Sequence, residues 1–317
     1  MPIQQTTRST PRADLGVAYH EFQPDGYIAE KVLPPMDVQK EAATIGVITR
    51  ENYRTVDAKH ANGGTFGRIH LTSEDKSYQC EDFGLEGQLT DRDREFYVTD
   101  YNAELEITQL VKAQMAIQKE IRVAALLFNA TTWTGSDLYT DVAADWDAAS
   151  TDIIGHVRSA KKKVFTNTGQ IADSMIIGKT QFDNLFANTA ILAKFTGVVV
   201  PTDDVISGAL ARILGLRNLF VGAATYNSAI EGQTAVMTEI WSDDYALIFK
   251  LHAGSLATAG LGRTLRWIGT EGVLQNGMES VLQYREEQTE SDILRVRDYV
   301  DELVFEAYMG HLLLIDT

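Results

Sequence analysis

The stretch DYNAELEITQLVKAQMAIQKEIRVAALLFNA, residues 100–130, decides how the rest of the chain is read. Leu105, Thr108, Val111 and Met115, then Ala116, Lys119, Val123, Leu126 and Leu127, recur with a period near 3.6. Leu110, Ile117 and Ile121 widen the stripe. Asp100 or Asn102 caps the start, and Glu104 and Glu106 suit the positive end of the helix dipole. Roughly 28 residues at 1.5 Å per residue make a rod of about 40 Å. That exceeds an ordinary globular helix and reads as a spine.

Upstream, residues 44–98 alternate short apolar pieces (Ile45 to Ile48, Arg68 to Leu71, Tyr97-Val98) with glycine and dense mixed charge. Asn62-Gly63-Gly64 is a tight-turn signal, because both residue types accept positive φ. The expected element is a long β-ribbon turning near residues 61–64, too thin to hold a core of its own. Residues 1–43 carry five of the six prolines: Pro2, Pro11, Pro24, Pro34 and Pro35. Proline fixes φ and removes a donor, so an extended arm is expected. Tyr19, Phe22, Tyr27, Ile28, Val32, Leu33 and Met36 make that arm too apolar to lie in water. A neighbouring subunit is the natural surface for it.

Downstream, residues 136–279 read as mixed α/β. A helix starts at Ser150 or Thr151 and stops at Asn167-Thr168-Gly169; Ser174 to Gly178 is a strand, and Thr180 caps the helix carrying Phe182, Leu185 and Phe186. Thr202 with Asp203 and Asp204 opens another helix, with Val205, Ile206, Ala209 and Ile213 inward and Gly215 at its end. Asn218 to Gly222 follows as a strand. Thr234 to Trp241 and Tyr245 to Leu251 are expected to form a hairpin, and Arg263 to Ile268 a further strand. Residues 280–309 return to an imperfect strand alternation that must pack on the spine. From Val281 onward nine acids face three arginines, so an acidic outer face is expected there.

Composition narrows the function. The chain has 317 residues, 28 Lys+Arg against 44 Asp+Glu, a formal charge of −16 and 44% hydrophobic residues. It can bury a sizeable core in two modest domains or one elaborated one. One cysteine, Cys80, excludes a disulfide scaffold. The longest wholly apolar runs, such as Val123 to Phe128, are about a third of a membrane span. The start Met1-Pro2-Ile3-Gln4-Gln5 lacks a basic n-region and apolar h-region, so a cytosol-like compartment is expected. A sequence pI of about 4.8 argues against gripping nucleic acid through a broad basic face.

Chemical motifs fail on inspection. Gly178-Lys179-Thr180 imitates the tail of a phosphate loop, but the glycine required five residues earlier is Asp173. Asp91, Asp93 and Glu95 imitate a calcium loop, yet its sixth and twelfth positions are Phe96 and Asn102. Among His20, His60, His70, His156, His252 and His311 no pair has metal-ligand spacing, and no Gly-x-Ser-x-Gly elbow occurs. Glu81 and Asp82 should raise the Cys80 pKa and blunt it as a nucleophile. Arg158 with Lys161, Lys162 and Lys163 is the basic cluster. Its ordinary reading is a complement to a helix C-terminus, and its sharper one is a contact with an acidic patch on another subunit. No catalytic residue, metal or cofactor is expected.

The order of elements, with Ile28-Ala29-Glu30-Lys31-Val32-Leu33-Pro34-Pro35, Lys119-Glu120, Ala124 to Asn129, Ala223 to Asn227, Ile240 to Asp243 and Gly262 to Trp267, resembles the HK97-like major capsid proteins of tailed phages. The resemblance implies an α+β fold with an N-terminal arm (1–43), a β-ribbon E-loop (44–98), a peripheral domain holding the spine helix (99–135 and 280–317) and a mixed α/β axial domain (136–279). It further implies pentamers and hexamers forming an icosahedral shell around double-stranded DNA, without sequence-specific contact and without a membrane. The host cytoplasm is the expected place of assembly, and scaffolding and portal proteins are the expected partners. Inter-subunit contacts are expected at Tyr27, Ile28, Val32, Leu33, Pro34 and Pro35, at Phe66 and Phe83 in the ribbon, and at Lys161, Lys162 and Lys163. An encapsulin-like nanocompartment shares the expected fold, and a soluble α/β enzyme with a ligand pocket is the alternative from another class. Some family members crosslink through lysine; the ribbon has only Lys59 and Lys76, and no crosslink is expected. About 20 residues precede the apolar arm, too few for a built-in scaffold, so a separate scaffolding protein is expected.

Overall fold

The computed structural model describes residues 10–11, 26–59, 66–97, 103–142, 145–194, 203–230, 232–234, 236–254, 258–269 and 280–315. Along the chain, β1 (Thr10–Pro11) is followed by a single helical turn α1 (Ala29–Val32), then β2 (Pro35–Val38), β3 (Ala42–Ile48), β4 (Ser73–Gln79) and β5 (Glu81–Thr90). Next come α2 (Asp91–Tyr97), the spine α3 (Ala103–Leu127), β6 (Tyr139–Asp141), α4 (Ile153–Thr168) and β7 (Ser174–Gly178). Helices α5 (Lys179–Ala187), α6 (Thr189–Leu192) and α7 (Asp203–Ile213) lead to β8 (Asn218–Gly222), β9 (Thr225–Asn227) and β10 (Met237–Glu239). The chain closes with β11 (Tyr245–Phe249), β12 (Gly262–Trp267), β13 (Ser280–Glu286), β14 (Ser291–Val304) and β15 (Gly310–Leu314).

Two larger sheets organise these elements. One has the order β6-β15-β11-β7-β8, with β11 antiparallel to both neighbours and the outer pairs parallel. Both faces are covered, so β7 reads as a continuous apolar run instead of an alternation. Met175 and Ile177 pack with Val157, Val164, Leu210 and Ile248 on one face. Ile176, Leu247, Phe249 and Leu312 join Val123, Leu127 and Trp241 of the spine side on the other.

The second sheet runs β1-β13-β14-β12-β2, with β5 also paired to β14. Leu294 and Val296 of β14 pack with Val281 against Val111 and Met115 of the spine, as the sequence required. Gly87 of β5 permits that approach: a Cβ there would stand 2.3 Å from the Ile107 Cγ2.

Several sequence expectations shift for local physical reasons. The ribbon is β3 paired with β4 alone, while residues 81–90 are pulled into the large sheet by ten register pairs with β14. Its turn at residues 61–64, the helix caps Asp100 and Asn102, and Val205 and Ile206 lie outside the described residues or their side chains. Asp152, not Ser150 or Thr151, caps α4 by accepting from the Gly155 N–H, and Gly169 ends it at φ 70°. Thr180 does not cap α5, whose N-cap is Gly178; its hydroxyl donates to Glu239 at 3.0 Å. Helix α7 turns Leu210, Ala211 and the following Leu214 inward in place of Ala209 and Ile213.

The hairpin expected from 234–251 does not form. Strand β10 pairs with β9, and β11 is captured between β7 and β15 in the buried sheet. The linear boundaries also cross the sheets: β12, from within 136–279, joins β14, whereas the C-terminal β15 joins β11.

Candidate assembly surfaces

The segment 26–38 is where the arm meets the spine. Ile28, Ala29, Val32 and Leu33 are at most 4% exposed and pack with Val123, Ala124, Leu127, Trp133 and Trp241 of the same chain. Each fully buried aliphatic side chain contributes about 1.5–3 kcal/mol. Ile28, Val32 and Leu33, expected from the sequence at a contact with a neighbour, thus pack within their own chain. Tyr27, Pro34 and Pro35 stay half-buried, and Pro35 opens β2, parallel to β12. Proline suits this sheet edge because it has no N–H to give to the ladder.

Glu120 holds three elements at one point. Its carboxylate, on the spine and 1% exposed, accepts from the Ala29 N–H at 2.6 Å and from the Trp241 indole N–H at 2.8 Å. Burial raises its pKa, while those donors act in the opposite direction. Two donors facing one carboxylate fix the arm and the β10–β11 connection to the spine. The sequence held a signal for this residue: Ala116, Glu120, Val123, Ala124 and Leu127 share one helical face. Beside it, Lys119 donates to Glu30 at 2.8 Å. Asp298, 5% exposed on β14, has its pKa raised by burial, with Lys119, Arg266 and Arg122 pulling it back.

The ribbon root packs on the large sheet through Tyr78, Cys80, Leu265 and Phe305. Burial, then the charge of Asp301, pushes the Cys80 thiol to about 11. The direction agrees with the sequence reading, but burial supplies it and not Glu81 or Asp82. Beyond the root, Ile48, Tyr53, Phe66, Ile69 and Leu71 are exposed, Phe66 by 77%. Arg50 lies 3.8 Å over the Tyr308 ring. Phe83 is not on the ribbon: it sits in β5, half-buried, with the Arg122 guanidinium 3.8 Å above its ring.

The outer face of β5, β14 and β13 is not simply acidic. Arg297 pairs with Asp82, Arg295 with Glu86, and Arg285 with Asp91 at 2.5 Å. A shallow depression here is lined by Asp82, Gly84, Leu85, Glu86, Arg295 and Arg297. Its charges are matched across strands, which stitches β5 to the sheet. Asp91 is thereby part of a helix start and an ion pair. Among the described residues, no group of three His, Cys, Asp or Glu is placed to hold a metal. No described helix is long and apolar enough to cross a membrane.

The basic cluster divides. Lys161 donates to the Gly215 carbonyl, and Lys163 to the Ser136 carbonyl and the Thr140 hydroxyl, both at 2.7 Å. Lys162 is exposed. Two of the three lysines thus tie α4 to neighbouring loops of the same chain.

No family model matches the chain. The major capsid protein of Burkholderia phage BcepMu is 25% identical over 250 residues, covering 74% of each chain. That of Pseudomonas phage JBD67 is 21% identical over 240 residues, covering 74% of this chain and 75% of its own. Among solved structures, a phage-related protein from Bordetella bronchiseptica matches with a TM-score of 0.70 at 15% identity, covering 96% of this chain and 97% of its own. The fold is that of the HK97-like capsid proteins. The capsid of cyanophage P-SCSP1u shares it, with a TM-score of 0.58 at 13% identity over 89% of this chain and 86% of its own. An encapsulin from Synechococcus elongatus has a TM-score of 0.50 at 9% identity over 99% and 91%. The mixed α+β fold with its long spine helix is the fold class that the sequence resemblance implied.

Proposed function

We propose that this chain is the major capsid subunit of a tailed phage, a structural and non-enzymatic protein whose copies close into an icosahedral shell. The observation that carries this reading is the agreement of sequence and fold: the curated relatives over three quarters of the chain are major capsid proteins. A β-ribbon whose outer apolar residues Ile48, Tyr53, Ile69 and Leu71 are exposed fits a subunit completed by its neighbours.

In this reading the subunits form pentamers and hexamers around packaged double-stranded DNA. The shell assembles in the host cytoplasm with a separate scaffolding protein and a portal. The −16 charge then suits a wall that encloses a polyanion without gripping it. The encapsulin-like reading shares the fold but lacks the support of the sequence relatives.

Negative-stain microscopy and sedimentation of the purified chain, with and without the scaffolding protein of its genome, test the proposal. Closed regular shells formed with the scaffold are expected. Uniform shells from the chain alone would remove the scaffold requirement, and a compact monomer under every condition would overturn the capsid reading.

A further inference from the structure

The five-stranded sheet is electrically polar from end to end. Strands β6, β7, β8 and β15 run in one direction, and the five residues of β7 span about 17 Å. At the end where these strands begin, the C-terminal half of α4 is fixed by the bonds of Lys161 to Gly215 and Lys163 to Ser136. Here Lys162, Arg212 and Arg217 are exposed, and none of their side chains has a hydrogen-bond or ion-pair partner among the described residues. Phe165 and Ile171 add 53% and 66% exposed apolar side chains. Of the acids at this end, Asp173 is neutralised by Lys250 at 2.6 Å and Asp137 is exposed.

The opposite end has the reverse character. Backbone bonds from Val142 to Leu314, Trp146 to Ile315 and Ile315 to Asp244 gather Asp141, Asp147 and Asp244 there, all exposed. Lys179, at the start of α5, is occupied by Asp183 at 2.6 Å. From the same end β8 runs out into the β9–β10 hairpin, where Ile230 and Met237 are 82% and 63% exposed.

One end therefore presents cations around apolar side chains, and the other presents carboxylates beside apolar side chains. In a chain of charge −16, exposed cations without a partner among the described residues find complementary charge at this chain's own opposite end. We infer that the basic end of this sheet docks on the acidic end of a second copy, head to tail. Such a heterologous contact closes into a ring when the rotation between copies permits. The inference rests on the shell-subunit reading for its setting, but its contact is testable without shells.

Sedimentation velocity across protein and salt concentrations follows self-association, with microscopy following shells separately. Reversing the basic end (Lys162→Glu with Arg217→Glu) or the acidic end (Asp141→Lys with Asp147→Lys) should each reduce the associated fraction at least about tenfold, because like charges then meet. Carrying all four substitutions in one chain restores opposite charges and should restore association. Mixing the two single-end variants should also restore it, as alternating copies become complementary. Salt should weaken the wild-type contact.

Single-end variants that associate like wild type would overturn the contact. So would a four-fold variant that fails to recover although each single-end variant is folded by circular dichroism. Loss of duplex-DNA binding with unchanged self-association would assign the basic end to nucleic acid instead. Salt-sensitive rings without shells would leave the contact standing and count against the shell reading. Shells from the single-end variants would do the converse.

Discussion

The Glu120 carboxylate accepts the Trp241 indole N–H at 2.8 Å, joining the spine helix to the connection that enters the five-stranded sheet. The other carboxylate oxygen holds the Ala29 N–H at 2.6 Å, so one side chain sets the relation of arm, spine and sheet. Glu120→Ala leaves both donors buried without a partner, at about 1–3 kcal/mol each. Trp241→Phe removes one donor and one bond together and should cost less at that site. Chemical denaturation of the two variants and their double mutant should therefore show coupling between the positions. Additive effects would dissociate Glu120 from Trp241.

Trp241 also rests on glycine. The registered pair Gly178 and Gly222 ends β7 and β8, and a Cβ on Gly222 would stand 2.3 Å from the Trp241 Cγ. Gly222→Ala should destabilise the fold by about 1–3 kcal/mol, the usual cost of overpacking. Thermal unfolding measures it, and an unchanged midpoint would refute the close approach.

Acid should act through His311. Its Nδ1 lies 2.9 Å from the Asp137 carbonyl, which can only accept, so the proton sits on Nδ1. Nε2 then accepts from the Thr140 hydroxyl at 2.9 Å, whose oxygen accepts from Lys163 at 2.7 Å. Burial lowers the His311 pKa from 6.5 to about 4, with the nearby Lys163 charge acting in the same direction. Below pH 6.5 the unfolded chain takes up a proton that the folded chain refuses. The His311 contribution to stability is therefore lost as pH falls from 6.5 to about 4. His311→Gln should flatten that part of the stability profile. A profile of identical slope in both proteins would contradict the assignment.

Truncation separates the arm from the core. Removing residues 1–35 deletes Ile28, Val32 and Leu33 from the buried cluster and the Ala29 donor from Glu120. It should lower the unfolding midpoint well below that of a chain lacking only residues 1–25. Equal midpoints would mean that segment 26–35 adds nothing to the fold.

The spine was legible because a long helix writes its buried face at a fixed period, and the structure places Val111, Met115, Val123 and Leu127 on that face. Strand existence was likewise legible at Ser174–Gly178 and Asn218–Gly222. Strand pairing was not. Tyr245 to Phe249 reads equally as half a hairpin or a central strand, and only the burial of both its faces decides. Tyr19 and Phe22 lie outside the described residues, and for the rest of the arm composition asks for a covering surface without saying whose it is. For Ile28, Val32 and Leu33 it is the chain's own. Lys161 and Lys163 were ambiguous for the same reason, since their carbonyl partners come from loops distant in sequence.

A cryo-EM reconstruction of particles assembled from this chain would show directly whether its copies build a shell. The expected result is an icosahedral wall built from repeated copies of this fold, with the Glu120 junction inside each subunit and the β3–β4 ribbon covered by a neighbour. Isolated monomers at every concentration and with every scaffold, their ribbon exposed to solvent, would contradict it.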